Sequence, residues 1–140
     1  MEIQISIDKQ ELTLWENGIL RASYPVSTGK NGVGEQSGSE QTPRGKHYIR
    51  AKIGAGAPLG MAFKGRDWIT SRIWWLCGRE IGKNRLGTVD TFHRYIYIHG
   101  TPDWEPMGIP LSHGCIRMRN TDIVELFDLI PPFTSVIINE

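Results

Sequence analysis

The chain has 140 residues, of which 39% are hydrophobic, so we expect one domain spanning residues 1–140 around a single core. Sixteen Lys and Arg residues against fifteen Asp and Glu give a formal net charge of +1, and the basic residues are scattered, which argues against nucleic acid as the main partner. No window approaches the ~20 apolar residues needed to cross a bilayer, so we expect no membrane span.

The first residues alternate between apolar and polar side chains, the period of a half-buried strand. This alternation predicts strands over residues 3–7 and 11–16, and a third over about 19–27. Asn17-Gly18 tolerates positive φ and suits the tight turn between the second and third strands. The start of the chain is therefore expected to form a three-stranded meander.

The middle of the chain alternates loops and short apolar runs. Residues 28–45 are rich in Gly, Ser, Thr and Gln with no apolar period and predict a loop, and residues 54–65 lapse again into small residues. Strands are predicted over residues 47–53, 69–77 and 95–99, which are rich in β-branched and aromatic side chains.

One helix is predicted, from Asn120 to Ile130, with Asn120 as its N-cap and Asp122 favourable for the helix dipole. Pro131-Pro132 stops it, and residues 135–138 form a last strand. The expected fold is mainly β, β-sandwich-like with a mixed sheet and one or two short helices, in which loops carry the function.

Chemistry is concentrated between Tyr95 and Asn120. His99 ends an alternating strand, and Cys115 closes a Ser-His-Gly-Cys run after a turn. A free thiol is only a few per cent ionised near neutral pH, and a nearby histidine can take its proton. Gly114 permits a tight turn and leaves room for an approaching carbonyl. Cys115 is therefore a candidate nucleophile.

The residues around Cys115 suggest how a substrate would be held. If the turn directs the amides near Gly114 and Cys115 at one point, they form an oxyanion hole. Arg117 and Arg119 would alternate in direction along a continuing strand, with Arg117 facing the site and able to bind a carboxylate bidentately.

Other interpretations of the same residues remain open. A core thiol is the alternative for Cys115, although its run is polar and contains a glycine. Cys77, close to two tryptophans, fits a buried structural residue. A zinc site of His99, His113, Cys115 and Asp103 lacks the close ligand pairs of common zinc motifs. A Cys77–Cys115 disulfide is a further alternative.

Three other side chains receive weaker assignments. His47 and His93 are expected to be surface or capping residues. Trp104, in the loop after His99, is expected to line a substrate groove rather than the core.

The motifs together resemble the L,D-transpeptidase (YkuD-type) catalytic domain family. The matching strings are His99-Gly100-Thr101 and the highly specific run from Ser112 to Met118, preceded by Tyr24 to Gly29 and Thr42 to Gly45, in the family's order. The resemblance covers nearly the whole chain and implies the family's β-sandwich-like sheet with a short helix after the catalytic motif.

The resemblance also implies roles for individual residues. Cys115 would be the nucleophile and His99 the base, with the Gly100 carbonyl orienting the imidazole. His113 and Gly114, together with Ser112 and Cys115, belong to the substrate-binding and oxyanion segment, and Arg117 matches a site arginine. His113 also flanks the nucleophile, but we expect His99 to be the base.

The implied substrates are peptide stems of bacterial peptidoglycan, with carbapenem-type β-lactams as inhibitors and no metal or organic cofactor. Cys115 would attack the bond from diaminopimelate to D-alanine, and a second stem's amine would resolve the thioester as a 3-3 cross-link. The same cysteine could serve an L,D-carboxypeptidase, and a non-catalytic wall-binding domain is the alternative from another class. We expect a monomer. The resemblance implies the cell envelope or periplasm, but no export signal is visible after Met1, so a cytoplasmic protein or a chain whose signal has been removed stays open.

Overall fold

The computed structural model describes residues 1–63 and 69–140, so the predicted small-residue run over 54–65 is covered only as far as residue 63. In chain order, the described elements are β1 (Glu2–Ser6), β2 (Glu11–Glu16), β3 (Ile19–Ser27), β4 (Gly45–Ile53), β5 (Ala62–Phe63), β6 (Ile69–Gly78), a 3-10 turn (Gly87–Val89), β7 (Tyr97–Thr101), β8 (Ile116–Arg119), α1 (Asn120–Phe127) and β9 (Ser135–Asn139).

The strands form one mixed sheet in the order β4-β9-β1-β2-β3-β8-β7-β6-β5. The β1–β9 and β7–β8 pairs are parallel, and the others are antiparallel. Because β4 pairs with both β9 and β6, the sheet closes on itself. The predicted mainly β fold with a mixed sheet and a short helix is therefore confirmed.

The core lies on the inner face of this closed sheet. Alternation buries Ile3 and Ile5 of β1, Trp74 of β6 and Ile98 of β7, and α1 packs against them through its own apolar side chains. The Trp74 and Phe127 rings stack with centroids 6.3 Å apart. Within residues 1–63 and 69–140, no helix has the length and apolarity to span a bilayer.

The structure corrects three local predictions. Arg119, with extended backbone, is the N-cap of α1, so Asn120 is the first helical residue and its side chain turns to other partners. The helix ends at Phe127, before Ile130. His47 is fully buried rather than on the surface, because its Nδ1 and Nε2 bond to the Gly45 carbonyl and the Thr91 hydroxyl.

The outer face of β7 and β8 carries the residues predicted to be functional. His99 pairs in register with Arg117, and Arg117 pairs with Ser27 of β3. Paired residues of neighbouring strands lie on the same face, and alternate residues point the same way. The face opposite the core is therefore lined by Tyr97, His99 and Arg117. It adjoins the start of β8, which Cys115 directly precedes.

Candidate active site

The thiol of Cys115, directly before β8, is held by the backbone of β7 and of the residues that precede β7. The Tyr97 N–H donates to Cys115 Sγ at 3.4 Å, and Sγ lies 3.4 Å from the Tyr95 carbonyl, which it can meet as a donor. Cys115 is partly exposed, whereas Cys77 is buried, and neither forms a disulfide. The thiol is thus accessible and fixed in direction.

His99 is completely buried, and its tautomer follows from its partner. A carbonyl oxygen can only accept, so His99 Nδ1–H donates to the Gly100 carbonyl, at 2.6 Å. In the neutral imidazole the lone pair then lies on Nε2. The orienting role predicted for Gly100 matches this contact, and Nε2 is the nitrogen suited to accept a proton.

Gly100 packs closely against a polar network that sequence reasoning missed. A Cβ at Gly100 would overlap the Thr70 carbonyl and come within 2.7 Å of Asn120 Oδ1. Asn120 Oδ1 accepts from the hydroxyls of Thr70 and of Ser71, the latter at 2.7 Å, and Asn120 Nδ2 donates to Asp103 at 3.3 Å. Asn120 therefore joins the start of α1 to β6, the strand that pairs with β7, and to Asp103 just after β7.

The turn before Cys115 is closed by Ser112. The Ser112 hydroxyl donates to the Cys115 carbonyl at 2.5 Å and accepts from the Gly114 N–H at 3.1 Å. Ser112 is only 2% exposed, and these two hydrogen bonds shape the turn. The substrate-binding and oxyanion role predicted for Ser112 stays a prediction. The Gly114 amide is thus engaged by Ser112 within the turn.

The upstream Tyr24–Gly29 motif is bound to this turn through its backbone. The Ser112 N–H donates to the Thr28 carbonyl, and the Lys30 N–H donates to the Ser112 carbonyl, both at 2.9 Å. The two distant motifs thus form one unit next to the nucleophile.

Thr42, in the second upstream motif, is hydrogen-bonded to the same turn. Its fully buried hydroxyl donates to the Gly114 carbonyl at 2.9 Å and accepts from the Gly29 N–H at 2.8 Å. Gly114 has φ +119°, and a Cβ there would lie 3.0 Å from the Gln41 carbonyl oxygen. Glycine is required at this position for both reasons.

Arg94 is a second residue that the sequence did not point to. Its guanidinium donates to the backbone carbonyls of residues 34, 35 and 41, the last at 2.6 Å, and so fixes the loop that contacts Gly114. Burial lowers the pKa of Arg94, while the negative charges of Glu35 and of an ionised Cys115 raise it. A fixed cation near the sulfur favours the thiolate.

Arg117 faces the site as predicted, whereas Arg119 is exposed. The Arg117 side chain is 7% exposed and donates to Glu105 at 3.3 Å, so it already holds a carboxylate of the protein. The loop that carries Glu105 crosses the site face and is fastened by Ser27, whose hydroxyl donates to the Ile109 carbonyl at 2.5 Å. Trp104 in this loop is 74% exposed.

His113 is exposed and lines a groove of about 210 Å³ beside the turn. Its other lining residues are Ser37, Gly38, Glu40, His93, Arg94, Tyr95 and Ile96. His93 is a surface residue as predicted, with Nδ1 3.1 Å from Asp90.

The zinc alternative finds no geometric support in the part of the chain that the structure describes. In residues 1–63 and 69–140, no three His, Cys, Asp or Glu side chains are grouped to hold a metal ion. Asp103, a proposed ligand, instead accepts from Asn120.

Residues 1–138 match the family model of the YkuD L,D-transpeptidase catalytic domain. The chain is 32% identical over 138 residues to the putative L,D-transpeptidase YkuD of Bacillus subtilis, covering 98% of this chain and 65% of the relative. It is 43% identical over 140 residues to the putative L,D-transpeptidase YqjB of the same organism, covering 93% and 66%. The chain thus spans about two thirds of the length of these relatives.

Solved structures share the fold. The catalytic domain of an Enterococcus faecium L,D-transpeptidase superposes with a TM-score of 0.63 at 20% identity, covering 99% of this chain and 95% of that one. LD transpeptidase LdtMt1 in complex with imipenem gives a TM-score of 0.63 at 20% identity, covering 98% and 57%.

Proposed function

Because the chain belongs to the YkuD family of L,D-transpeptidase catalytic domains, we propose that it is a cysteine acyltransferase acting on peptide stems of bacterial peptidoglycan. The observation that carries the proposal is the pairing of two fixed groups on one face of the sheet. Cys115 Sγ is held by the Tyr97 amide, and two residues further along the same strand His99 is held by the Gly100 carbonyl.

In the first step, His99 Nε2 takes the thiol proton of Cys115, and the thiolate attacks the carbonyl that joins diaminopimelate to the terminal D-alanine. The Cys115 amide is proposed to donate to the developing oxyanion. The imidazolium then returns the proton to the leaving amine, D-alanine departs, and a thioester remains on Cys115.

In the second step, an amine replaces D-alanine. The side-chain amine of a second stem's diaminopimelate attacks the thioester, His99 accepts its proton, and Cys115 leaves as the thiol when the new amide forms. The product is a 3-3 cross-link. Water in place of the amine gives a trimmed stem, so the same site would then act as an L,D-carboxypeptidase.

The proposal also covers inhibition by carbapenems and the compartment in which the protein acts. The structure titled as an imipenem complex supports carbapenems as acylating inhibitors of this chain, since their strained ring presents an activated carbonyl to the same thiol. A peptidoglycan substrate also means that the working protein acts in the cell envelope.

The proposal is tested with a disaccharide-tetrapeptide as the only substrate. Wild type is expected to release D-alanine and to form a cross-linked dimer, resolved by liquid chromatography and mass spectrometry. His99→Gln should slow release by a factor of about 10²–10⁴, the usual contribution of a general base. His93→Gln is the matched control, because the side chain of His93 is 79% exposed.

The outcomes separate the alternatives. Release of D-alanine without a dimer would assign the chain as a carboxypeptidase. If wild type releases no D-alanine and the His99→Gln variant behaves like it, the catalytic proposal is wrong and a wall-binding domain takes its place.

A further inference from the structure

Aromatic rings and one arginine form a continuous strip that begins at Cys115 and runs across the outer face of the sheet. We call it the aromatic track, and it consists of Tyr48, Arg50, Trp75, Phe92, Tyr95 and Tyr97. All six side chains are at least partly exposed.

Strand register places the track on the same face as the nucleophile. The Tyr97 amide contacts Cys115 Sγ, and Tyr97 pairs with Trp75 of β6. Tyr48 of β4 pairs with Cys77, two residues beyond Trp75 and therefore on the same face. From β8 to β4 the track crosses three strand spacings, roughly 14 Å in all.

The rings are fixed relative to each other. Trp75 and Phe92 stack with centroids 4.1 Å apart and planes at 10°, and the Trp75 indole N–H donates to the Phe92 carbonyl at 2.9 Å. Tyr97 meets Trp75 edge-on at 5.6 Å. The Arg50 guanidinium lies 5.4 Å from the Phe92 centroid. Such a surface loses little conformational entropy when a ligand binds.

Tyr95 is the most exposed ring of the aromatic track. It has φ +58°, a conformation uncommon for a residue other than glycine, and its side chain is 61% exposed while lying 5.7 Å from Trp75. Backbone strain of this kind persists where the surroundings enforce it, and it clusters at ligand-binding sites. The turn thus presents the Tyr95 ring to solvent while its carbonyl contacts the Cys115 thiol.

We propose that the aromatic track binds the N-acetylated glycan strand to which the reacting peptide stem is attached. Sugar rings present flat C–H faces that stack on aromatic rings, and the Arg50 guanidinium can donate to hydroxyl and acetamide oxygens. The track is continuous with the catalytic thiol, as a glycan joined covalently to the stem requires. This inference rests on the proposed function, because it names a second part of the same substrate.

The test compares two substrates that differ only in the sugar. We would measure kcat/KM for D-alanine release from a disaccharide-tetrapeptide and from the free tetrapeptide. Wild type should prefer the disaccharide form by about tenfold, as expected for one or two aromatic contacts. Phe92→Leu and Arg50→Gln should each reduce this ratio towards one. Trp15→Leu alters a partly exposed aromatic residue on β2, away from the track, and should keep the wild-type ratio.

A direct binding measurement makes the result independent of any variant. Titration of wild type with tetra-N-acetylchitotetraose should shift the Trp75 indole N–H resonance in an NMR spectrum before that of Trp15. Equal kcat/KM for the two substrates in wild type, or no Trp75 shift, would overturn the inference while leaving the reaction intact. If the proposed reaction itself is wrong, neither substrate will release D-alanine and no carbapenem adduct will form. That result differs from both outcomes above.

Discussion

Replacing Thr42 by Val should destabilise the protein and misplace the nucleophile turn. Valine has almost the same shape as threonine but has no hydroxyl, so it leaves no cavity. The Gly114 carbonyl and the Gly29 N–H, both in buried residues, would each lose the partner that now lies at 2.9 and 2.8 Å.

The size of the effect follows from these two groups. A buried polar group without a partner costs about 1–3 kcal/mol, so the free energy of unfolding should fall by roughly 2–6 kcal/mol. With a urea m-value of about 2 kcal/mol/M, the midpoint should fall by about 1–3 M. Carbapenem acylation should also slow, because the hydrogen bond from Thr42 to the Gly114 carbonyl holds the turn directly before Cys115.

Urea unfolding followed by tryptophan fluorescence measures the first effect, and the rate of adduct formation by mass spectrometry measures the second. Thr42→Ser keeps the hydroxyl and should retain most of both. Thr13→Val is the matched control. The Thr13 hydroxyl accepts from the Trp15 indole N–H at 2.8 Å and donates to the Gln4 carbonyl at 3.3 Å, but Thr13 is only partly buried. A Thr42→Val midpoint no lower than that of Thr13→Val, with a wild-type acylation rate, would refute the reasoning.

Three further predictions concern single residues. Gly114→Ala should cost about 1–3 kcal/mol and slow acylation, because φ is +119° and the new Cβ would press on the Gln41 carbonyl; retention of both stability and rate would contradict this. Burial lowers the pKa of His47 to about 4, so between pH 6.5 and 4 the unfolded chain binds more protons and stability should fall by roughly 3 kcal/mol as the pH drops. Urea titrations at pH 7 and 4.5 test this, and His47→Gln should flatten the slope. Asn120→Ala should slow acylation and alter its pH profile through His99; a slower rate with the wild-type pH profile would leave Asn120 a purely structural residue.

The fold was readable from the sequence where local patterns decide it. Alternation in residues 3–7 and 11–16 and the turn at Asn17-Gly18, between the second and third strands, specify the three-stranded meander without long-range information. The start of β7 at Tyr97 rather than Tyr95 was not readable, because the left-handed backbone of Tyr95 depends on the packing around Trp75.

The reactive side chains of the site could be predicted from the sequence, but the residues that position them could not. Cys115 and His99 stand out by residue type, and the motifs around them carry the family resemblance. Arg94 and Asn120 have no local signature, because their partners lie 53 residues away at Gln41 and 50 residues away at Thr70. The contact of Ser112 within the turn has no local signature either, since only the folded turn shows that its hydroxyl donates to the Cys115 carbonyl.

The most direct test of the central claim is intact-mass spectrometry after incubation with a carbapenem. Wild type and Cys77→Ala should each gain the mass of one inhibitor molecule, and Cys115→Ala should gain none while unfolding at a similar urea concentration. An adduct on Cys115→Ala, or none on wild type, would contradict the assignment of Cys115 as the nucleophile.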